Sequence, residues 1–426
     1  MTAERSVPVD VLVVGAGPAG LSSAVAAAAC GRRVLILDLG MRTGGQVWRH
    51  RDPAALPAVA RHWIDRVRAA GITVASGARV VDVLSPKELV VDFRGRIDRQ
   101  RTGALIIATG AKERMLPFPG WTLPGVVGVG GLQALIKGGL ELAGSRVVIA
   151  GTGPLVFPVA ASAAAAGAEV RQVAEQASFR NAAAFALGLW AKPAAIRQAI
   201  GYRWAFRHAP FHADCWVTSA EGDGRLRRVH LSRRGKLVTI DCDWLAASAG
   251  LSPNIELAQL LGCAIDGDAV RVDATQATSV AGVWAAGECT GVKGDAAALC
   301  DGEIAGRAAA GDGRGAQRSG LQRRRDAGRA FGRRLARHFA PRAELLQLAA
   351  ADTIICRCED VCRGDIDPRW TQRQAKLWTR VGMGECQGAV CGPACAALFG
   401  WEPNLARPPL QAPLIGAWGE TLTSKE

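Results

Sequence analysis

The chain reads Val9-Asp-Val-Leu-Val-Val14-Gly15-Ala-Gly17-Pro-Ala-Gly20 near its N-terminus, and an Ala- and Ser-rich stretch follows. A β-prone run, a G-x-G-x-x-G turn and a helix in this order are typical of a unit that binds a dinucleotide. Gly15 permits the tight turn, Gly17 lets the backbone approach a pyrophosphate, and Gly20 lets the helix pack closely on the strand. The stretch therefore predicts a phosphate site at the N-terminus of the first helix.

Asp38 completes a unit that fits NAD or FAD, and three later segments favour FAD as the bound nucleotide. Asp38 closes a second strand at 33–37, at a spacing where an acid accepts hydrogen bonds from a ribose. The later segments are Gly44-Gly45-Gln46, the apolar run 105–108 followed by Thr109-Gly110, and the apolar run 282–286 followed by Gly287-Glu288. The predicted FAD residues are therefore Gly15, Gly17, Gly20, Asp38, Gly45, Gln46, Thr109, Gly110, Gly287 and Glu288.

Over residues 8–310 the chain resembles the flavoprotein disulfide-reductase superfamily, whose members have two dinucleotide-binding domains. The resemblance implies that the Thr109-Gly110 turn passes near the flavin nucleotide. It also implies that Gly287 and Glu288 meet the ribityl chain and the pyrophosphate, although that family usually has Asp where this chain has Glu288.

A second βαβ pattern is inserted within the first. A strand at 146–150 is followed by Gly151-Thr-Gly153-Pro-Leu-Val156, and the next strand, 169–174, ends at Glu175. Val156 replaces the third glycine, and a β-branched side chain there spreads the helix from the strand. Two interpretations stay open: an NAD(P) site with Glu175 on the ribose, or a retained fold that binds no nicotinamide.

The composition fits an α/β nucleotide-binding protein, with 51 glycines, one tyrosine and 49% hydrophobic residues among 426. The net charge of +14 suits an anionic membrane or an acidic protein, whereas no nucleic-acid motif accompanies the scattered arginines. The uncharged stretch 11–30 is broken by glycines and follows no basic segment, so we expect neither a signal peptide nor a transmembrane segment. Twelve cysteines without an export signal predict a cytoplasmic location, with peripheral contact at the inner membrane through the electron acceptor left open.

Two basic segments have open roles. The helical insert 178–210 carries aromatic side chains that favour a buried core but also suit a docking surface; they are Phe179, Phe185, Trp190, Tyr202, Trp204 and Phe206. Residues 311–325 are rich in Gly and Arg and predict a linker. A basic helix follows, whose apolar stripe includes Leu335 and Phe339. The simpler interpretation is that the basic face of this helix is solvated. The alternative interpretation is that it binds an acidic redox partner.

Four cysteines near the C-terminus form a metal-ligand pattern, Cys356-Arg-Cys358 and Cys386-Gln-Gly-Ala-Val-Cys391. Thiolates suit zinc and iron–sulfur centres alike. The C-x-C pair holds two thiolates too close for comfortable chelation of one zinc, so the spacing favours a 2Fe–2S cluster. Cys362 and Cys395 lie outside the pattern. The isolated cysteines are predicted to be buried fillers; they are Cys30, Cys215, Cys242, Cys263, Cys289 and Cys300.

The cysteine segment resembles the 2Fe–2S domain of bacterioferritin-associated ferredoxins. Together with Pro119-Gly-Trp121 and the N-terminal fingerprint, it is similar nearly end to end to one family. That family contains the α subunits of opine oxidase and D-hydroxyproline dehydrogenase and the corresponding B subunit of the cyanide-forming glycine dehydrogenase. The resemblance implies a D-amino-acid-oxidase-like flavoprotein subunit that oxidises the amine on its own FAD. Some members of the family also have an FMN at the subunit interface and a small ferredoxin-like 2Fe–2S subunit, so the resemblance allows for both in this case.

The predicted fold is α/β, with two nested Rossmann-like dinucleotide-binding domains and a small helical C-terminal 2Fe–2S domain. The FAD domain is predicted to comprise 1–112 and 252–312, and the second domain 113–251. A basic linker and helix are expected at 313–350, and the cysteine domain with its tail at 351–426.

These observations predict the electron-transfer subunit of a multi-subunit, dye-linked amino-acid dehydrogenase of the D-hydroxyproline, opine or glycine type. Six histidines are spread through the chain without a constellation, so no acid–base catalyst is assigned. A stand-alone NAD(P)H-dependent FAD/2Fe–2S reductase is the alternative function. A scaffold with a structural zinc is a third.

Overall fold

The computed structural model describes residues 8–190, 193–402 and 406–412. The helices are α1 (Pro18–Ala28), α2 (Ala58–Ala69), α3 (Val129–Lys137), α4 (Val156–Ala165), α5 (Phe179–Leu187), α6 (Pro193–Ala205), α7 (Glu256–Leu260), α8 (Asp295–Ala309), α9 (Gly313–Ala316), α10 (Ser319–His338), α11 (Gln372–Thr379) and α12 (Cys391–Phe399). Short 3₁₀ turns lie at Pro53–Ala55, Gly287–Thr290, Ala343–Gln347 and Arg363–Asp365. The predicted C-terminal tail from 413 onwards lies outside the described residues.

The strands are β1 (Val9–Val14), β2 (Val34–Asp38), β3 (Thr73–Ser76), β4 (Ala78–Ser85), β5 (Glu88–Phe93), β6 (Ile97–Ile107), β7 (Ala111–Glu113), β8 (Val126–Gly128), β9 (Arg146–Gly151), β10 (Glu169–Glu175), β11 (Phe211–Ala213), β12 (Cys215–Glu221), β13 (Arg228–Arg233), β14 (Lys236–Asp241), β15 (Trp244–Ala247), β16 (Leu251–Pro253), β17 (Ile265–Asp266), β18 (Ala269–Val270), β19 (Val283–Ala285), β20 (Ile354–Cys356) and β21 (Val361–Cys362).

The described residues divide into two compact units. The first contains 8–112, 253–332 and 406–412, and the second contains 113–190, 193–252 and 333–402. The cysteine segment and the last turn of α10 therefore belong with the second dinucleotide-binding-like region.

The first unit contains a Rossmann-like sheet. Its strand order is β3-β2-β1-β6-β5-β4, and β19 also pairs with β6. The second half of β6 runs parallel to β1 and β19, whereas its first half pairs antiparallel with β5. Val11, Leu12 and Val13 of β1 are all buried, as expected for a parallel strand covered on both faces.

Helix α8 packs against α1 through glycines. A Cβ on Gly302 would lie 2.1 Å from the carbonyl oxygen of Ala19, and one on Gly306 would lie 2.1 Å from that of Ser23. Larger side chains would separate the two helices. This contact holds α8 against α1, the helix that begins at the first glycine turn.

The second unit has its own parallel sheet, in the order β11-β10-β9-β15-β8. An antiparallel sheet of β12, β13 and β14 accompanies it. Helices α5 and α6 form the predicted insert between β10 and β11. The two Rossmann-like regions predicted from the glycine turns are thus confirmed as folds.

The C-terminal segment packs within the second unit. The indole Nε1 of Trp121 donates to the carbonyl oxygen of Ile354 at 2.6 Å, and the Arg357 guanidinium lies 4.7 Å from the centre of the Trp121 ring. Arg357 also donates to the carbonyl oxygen of Thr122 at 3.3 Å. The Pro119-Gly-Trp121 motif therefore acts as a support for the first cysteine pair.

The aromatic side chains of the insert do not share one environment. Phe185 and Phe206 are buried, whereas Phe179, Trp190 and Trp204 are exposed. The interpretation of the insert as core is therefore right for Phe185 and Phe206, right in part for Tyr202, which is half-buried against a core cluster, and wrong for the other three. Among the described residues, no helix is long and apolar enough to cross a membrane.

Candidate dinucleotide and cysteine sites

The first glycine turn leaves no room for a side chain at Gly15 or Gly20. Gly15 has φ +111°, and a Cβ there would lie 2.3 Å from the carbonyl oxygen of Ala108. A Cβ on Gly20 would lie 1.7 Å from the carbonyl oxygen of Gly15. Glycine is therefore required at Gly15 and Gly20 for the close packing of this turn, which lets the backbone approach a pyrophosphate.

The later segments predicted to bind FAD meet at this turn. A Cβ on Gly45 would lie 2.9 Å from the Cα of Gly17, and one on Gly287 would lie 2.7 Å from the Cβ of Ala19. Ala108, next to Thr109, contacts Gly15 as described above. Folding thus brings three segments that are far apart in sequence together at the first glycine turn.

The N-terminus of α1 suits a phosphate. Gly17 is its N-cap, Pro18 follows in the first turn, and no side chain of the described residues caps the helix. The first N–H groups of a helix lack intrahelical partners and carry a positive partial charge. The backbone turn and this helix end together fit the pyrophosphate of a dinucleotide.

Asp38 fixes the turn from the end of β2. Its carboxylate accepts hydrogen bonds from the backbone N–H groups of Ala16 and, at 2.6 Å, Gly40. Burial raises the pKa of Asp38, although both hydrogen bonds oppose that shift. Gln46, in contrast, is exposed on the loop after β2.

Thr109 and Gly110 are held by Asn254. The Thr109 hydroxyl donates to the Asn254 carbonyl oxygen at 2.8 Å, and the Asn254 side-chain amide donates to the Thr109 carbonyl oxygen at 2.9 Å. The backbone N–H of Asn254 donates to the carbonyl oxygen of Gly110 at 2.9 Å. This reciprocal bonding fixes the turn after β6.

A buried ion pair supports the Gly287-Glu288 turn, and no sequence motif indicates it. The Lys293 ammonium lies 2.7 Å from a carboxylate oxygen of Asp301, and both side chains are buried. Asp301 also accepts hydrogen bonds from the Gln276 side chain at 3.0 Å and from the backbone of Gly287. Glu288 accepts from the N–H of Gly294 at 3.3 Å, and burial raises its pKa.

The second glycine turn differs from the first. Val156 stands where the third glycine of the motif would be, and a Cβ on Gly151 would lie 2.9 Å from its Cγ1 atom. Glu175 is 2% exposed and accepts hydrogen bonds from the N–H groups of Gly153 at 2.7 Å and Ala177 at 2.8 Å. Burial raises the pKa of Glu175 to about 7. The carboxylate predicted to meet a ribose is thus bonded to the turn itself.

The four predicted cysteine ligands lie in two interacting pairs. Cys358 interacts with Cys386, and Cys356 interacts with Cys391. The backbone N–H of Gly382 bonds to the Cys356 sulfur. Donors of this kind tune the potential of a sulfur-ligated centre.

Cys395 lies outside the predicted ligand pattern but contacts Cys391, one of the four predicted ligands. It lies one turn after Cys391 on α12, is 2% exposed, and raises the pKa of Cys391 through a side-chain hydrogen bond. Within the part of the chain that the structure describes, no group of three or more His, Cys, Asp or Glu side chains is arranged to hold a metal ion. The donor chemistry suits a cluster, and further electrostatic interactions, between Cys356 and Cys358 and between Cys386 and Cys391, link the two pairs.

Known proteins resemble the chain over most of its length. Hydrogen cyanide synthase subunit HcnB of Pseudomonas aeruginosa is 33% identical over 424 residues, which cover 90% of this chain and 91% of the relative. The A subunit of opine oxidase from Rhizobium meliloti is 30% identical over an alignment of 453 positions, which covers 96% of this chain and 97% of the relative. The resemblance to this group predicted from the sequence is therefore confirmed.

A solved structure and a family model agree on the fold. L-Proline dehydrogenase from P. horikoshii aligns with a TM-score of 0.67 at 18% identity, covering 96% of this chain and 79% of that one. Residues 9–310 match the model of the pyridine nucleotide-disulphide oxidoreductases. This chain belongs to the pyridine nucleotide-disulphide oxidoreductase family.

Proposed function

We propose that this chain is the electron-transfer subunit of a multi-subunit, FAD-dependent amino-acid dehydrogenase of the D-hydroxyproline, opine or glycine type. The observation that carries the proposal is the similarity, over at least 90% of both chains, to two proteins that are themselves named as subunits. An electron-transfer subunit needs redox cofactors and a contact surface for its partner. It does not need a cluster of acid–base catalysts, because the amine would be oxidised on the partner subunit.

FAD is the proposed cofactor of the first unit. Gly17 would face the pyrophosphate, Gly15 and Gly20 would shape the turn that holds it, and Asp38 would combine its hold on the turn with a bond to the ribose. The remaining members of the site would be Gly45, Gln46, Thr109, Gly110, Gly287 and Glu288. Bound FAD would supply an exchange between two-electron and one-electron transfer. The Lys293–Asp301 pair would keep the Gly287 turn in place.

A 2Fe–2S cluster is the proposed second centre, with Cys356, Cys358, Cys386 and Cys391 as ligands. The C-x-C spacing, the pairing of the thiols and the Gly382 N–H bond to sulfur support it. Zinc is the competing metal for the same thiols. Metal analysis together with acid-labile sulfide separates the two.

The proposed partner is a D-amino-acid-oxidase-like flavoprotein subunit that oxidises the C–N bond of the amine by two electrons. An FMN at the subunit interface, together with a small ferredoxin-like 2Fe–2S subunit, would complete the proposed assembly. The proposed location of the complex is the cytoplasm. A membrane-bound electron acceptor would bring it into peripheral contact with the inner membrane.

Co-purification tests this proposal. A tagged copy expressed in its native cell should bring down a flavoprotein subunit, and the complex should reduce a dye with hydroxyproline, an opine or glycine. The isolated chain should be yellow but should not reduce the dye with these amines. A tagged chain that lacks flavin absorbance, or that reduces the dye with an amine by itself, would contradict the proposal.

A stand-alone NAD(P)H-dependent reductase is the alternative, because the second unit retains the parallel sheet and the Gly151–Gly153 turn. Anaerobic NADH would then bleach the flavin absorbance at 450 nm without any partner. The surroundings of the second turn bear directly on this alternative.

A further inference from the structure

The end of α10 and the residues after it lie over the second glycine turn. A Cβ placed on Gly153 would lie 3.6 Å from Cγ of Phe339 and 3.7 Å from Cδ1 of Leu335. In doubly wound folds a dinucleotide lies here, against the glycine turn and outside the carboxyl ends of the strands. Two apolar side chains of the protein thus occupy the approach that a pyrophosphate would need.

Hydrogen bonds fasten this segment to the ends of β9 and β10. The Thr152 hydroxyl donates to the carbonyl oxygen of Phe339 at 3.1 Å. The amide of Gln176, which is 1% exposed, donates to the carbonyl oxygen of Ala340 at 3.0 Å and to the Thr152 hydroxyl at 2.8 Å. The N–H of Arg342 donates to the Gln176 side-chain oxygen at 3.1 Å. Polar groups that a nucleotide would use are therefore already satisfied.

Two arginines hold the segment on either side. Arg334 donates to the carbonyl oxygens of Phe185 at 2.7 Å and Gly188 at 2.6 Å, at the end of α5. Arg342 forms an ion pair with Asp214, and its guanidinium lies 3.9 Å from the centre of the Trp216 ring. Displacement of the segment would break both sets of contacts.

Little space remains beside the turn. A cavity of about 40 Å³ is lined by Gly151, Gln176, Leu345 and other residues. Pockets for small ligands usually enclose roughly 300–1,000 Å³. Glu175 is turned onto the Gly153 N–H, so a ribose would have to compete for a buried and already bonded carboxylate.

We propose that residues 335–342 are a built-in substitute for the dinucleotide of the second unit, and that Leu335 and Phe339 are specificity-determining residues that exclude NAD(P)H as the electron donor. This inference goes beyond the proposed function, because it concerns the second glycine turn and holds for any donor that is not a nicotinamide nucleotide.

The test uses the full-length, FAD-loaded protein with NADH and NADPH as probes. Calorimetry should detect no saturable binding up to about 1 mM, and anaerobic NADH should leave the 450 nm absorbance unchanged. Hydrogen exchange of peptides over 151–156 and 335–342 should be the same with and without NADH. The wild-type titration needs no variant and so does not depend on one folding.

A double variant, Leu335→Ala with Phe339→Ala, tests the covering contact. Exchange at 151–156 should become about tenfold faster or more, whereas Leu237→Ala, at an exposed site of β14, should leave it unchanged. Saturable NADH binding to the wild type, NADH-driven bleaching, or unchanged exchange in the double variant would each overturn the proposal. Amine-driven dye reduction by the complex is measured separately, so a failure of the proposed function is recognised independently.

Discussion

At the scale of single residues, Gly45 gives the sharpest test of the FAD site. It has φ +61°, and a Cβ there would lie 2.9 Å from the Cα of Gly17. Gly45→Ala should therefore push the two segments apart and abolish FAD binding. Flavin absorbance per chain after purification measures the effect.

Gly71 provides a matched control for backbone strain. Its φ is +65°, and an added Cβ would meet nothing within 4 Å. Gly71→Ala should lose about 1–2 kcal/mol of stability from the left-handed backbone and keep its FAD. Equal loss of FAD in both variants would show that strain, and not the clash with Gly17, accounts for the result.

The contact between Cys391 and Cys395 allows a test of the ligand set. Cys391→Ser should lose the iron, since serine replaces a proposed thiolate ligand. Cys395→Ser should keep it, because Cys395 would only contact a ligand. Iron and acid-labile sulfide per chain, with EPR after reduction, measure both. Loss of iron from Cys395→Ser would move that residue into the ligand set.

Glu175 should make stability depend on pH. Its pKa is raised by burial to about 7, so between about 4.5 and 7 the folded chain binds more protons than the unfolded chain. Its contribution is fully present below the unfolded pKa and is lost as pH rises through the folded one. Each pH unit in this window is worth up to about 1.4 kcal/mol.

Glu175→Gln should remove this part of the pH dependence. The difference in melting temperature between variant and wild type should change between pH 5 and 7 and level off above that range. Glu169→Gln, at an exposed position of the same strand, serves as the control. A wild-type curve parallel to that of Glu175→Gln would show that Glu175 titrates normally.

At the scale of elements, α6 exposes an apolar stripe. Ile196, Ile200 and Trp204 recur every fourth residue and are 37%, 63% and 68% exposed, and Trp190 before the helix is 81% exposed. Patches of this kind mark interfaces. Residues 176–213 contain no Asp or Glu, so we expect this face to bind a partner subunit whose contact surface is apolar and bordered by carboxylates.

Charged substitutions test the stripe. Ile200→Asp with Trp204→Asp should weaken binding of the co-purifying flavoprotein subunit by about thirtyfold and leave the FAD content of the isolated chain unchanged. Leu237→Asp, also at an exposed position, should have no effect on binding. Retention of the partner by the double variant would place the interface elsewhere.

Local sequence patterns predict individual helices and strands, but they do not reveal contacts between residues that are far apart in the chain. The two glycine turns predicted both Rossmann-like sheets, because the required residues are local. The apolar stripe of α10 predicted a helix, but nothing local revealed that Leu335 and Phe339 contact Gly153. The Lys293–Asp301 pair was missed for the same reason, since neither residue belongs to a motif.

At the scale of the whole molecule, local sequence was least informative about which segments pack together. The cysteine segment was predicted as a separate domain at 351–426. Its described part packs onto the second region through the Trp121–Ile354 hydrogen bond and the Arg357 contact, which no local pattern indicates. The role of Trp121 was visible only as a resemblance, because a single tryptophan in a loop gives no signal of its partner.

A core of four buried residues joins the cysteine segment to the rest of the second unit; they are Leu116, Ala249, Leu345 and Ala394. A stop codon or protease cut ahead of residue 340 would leave Leu116 and Trp121 facing water. We therefore expect that the cysteine segment cannot be removed, or exchanged for an independent ferredoxin, without destabilising the second unit.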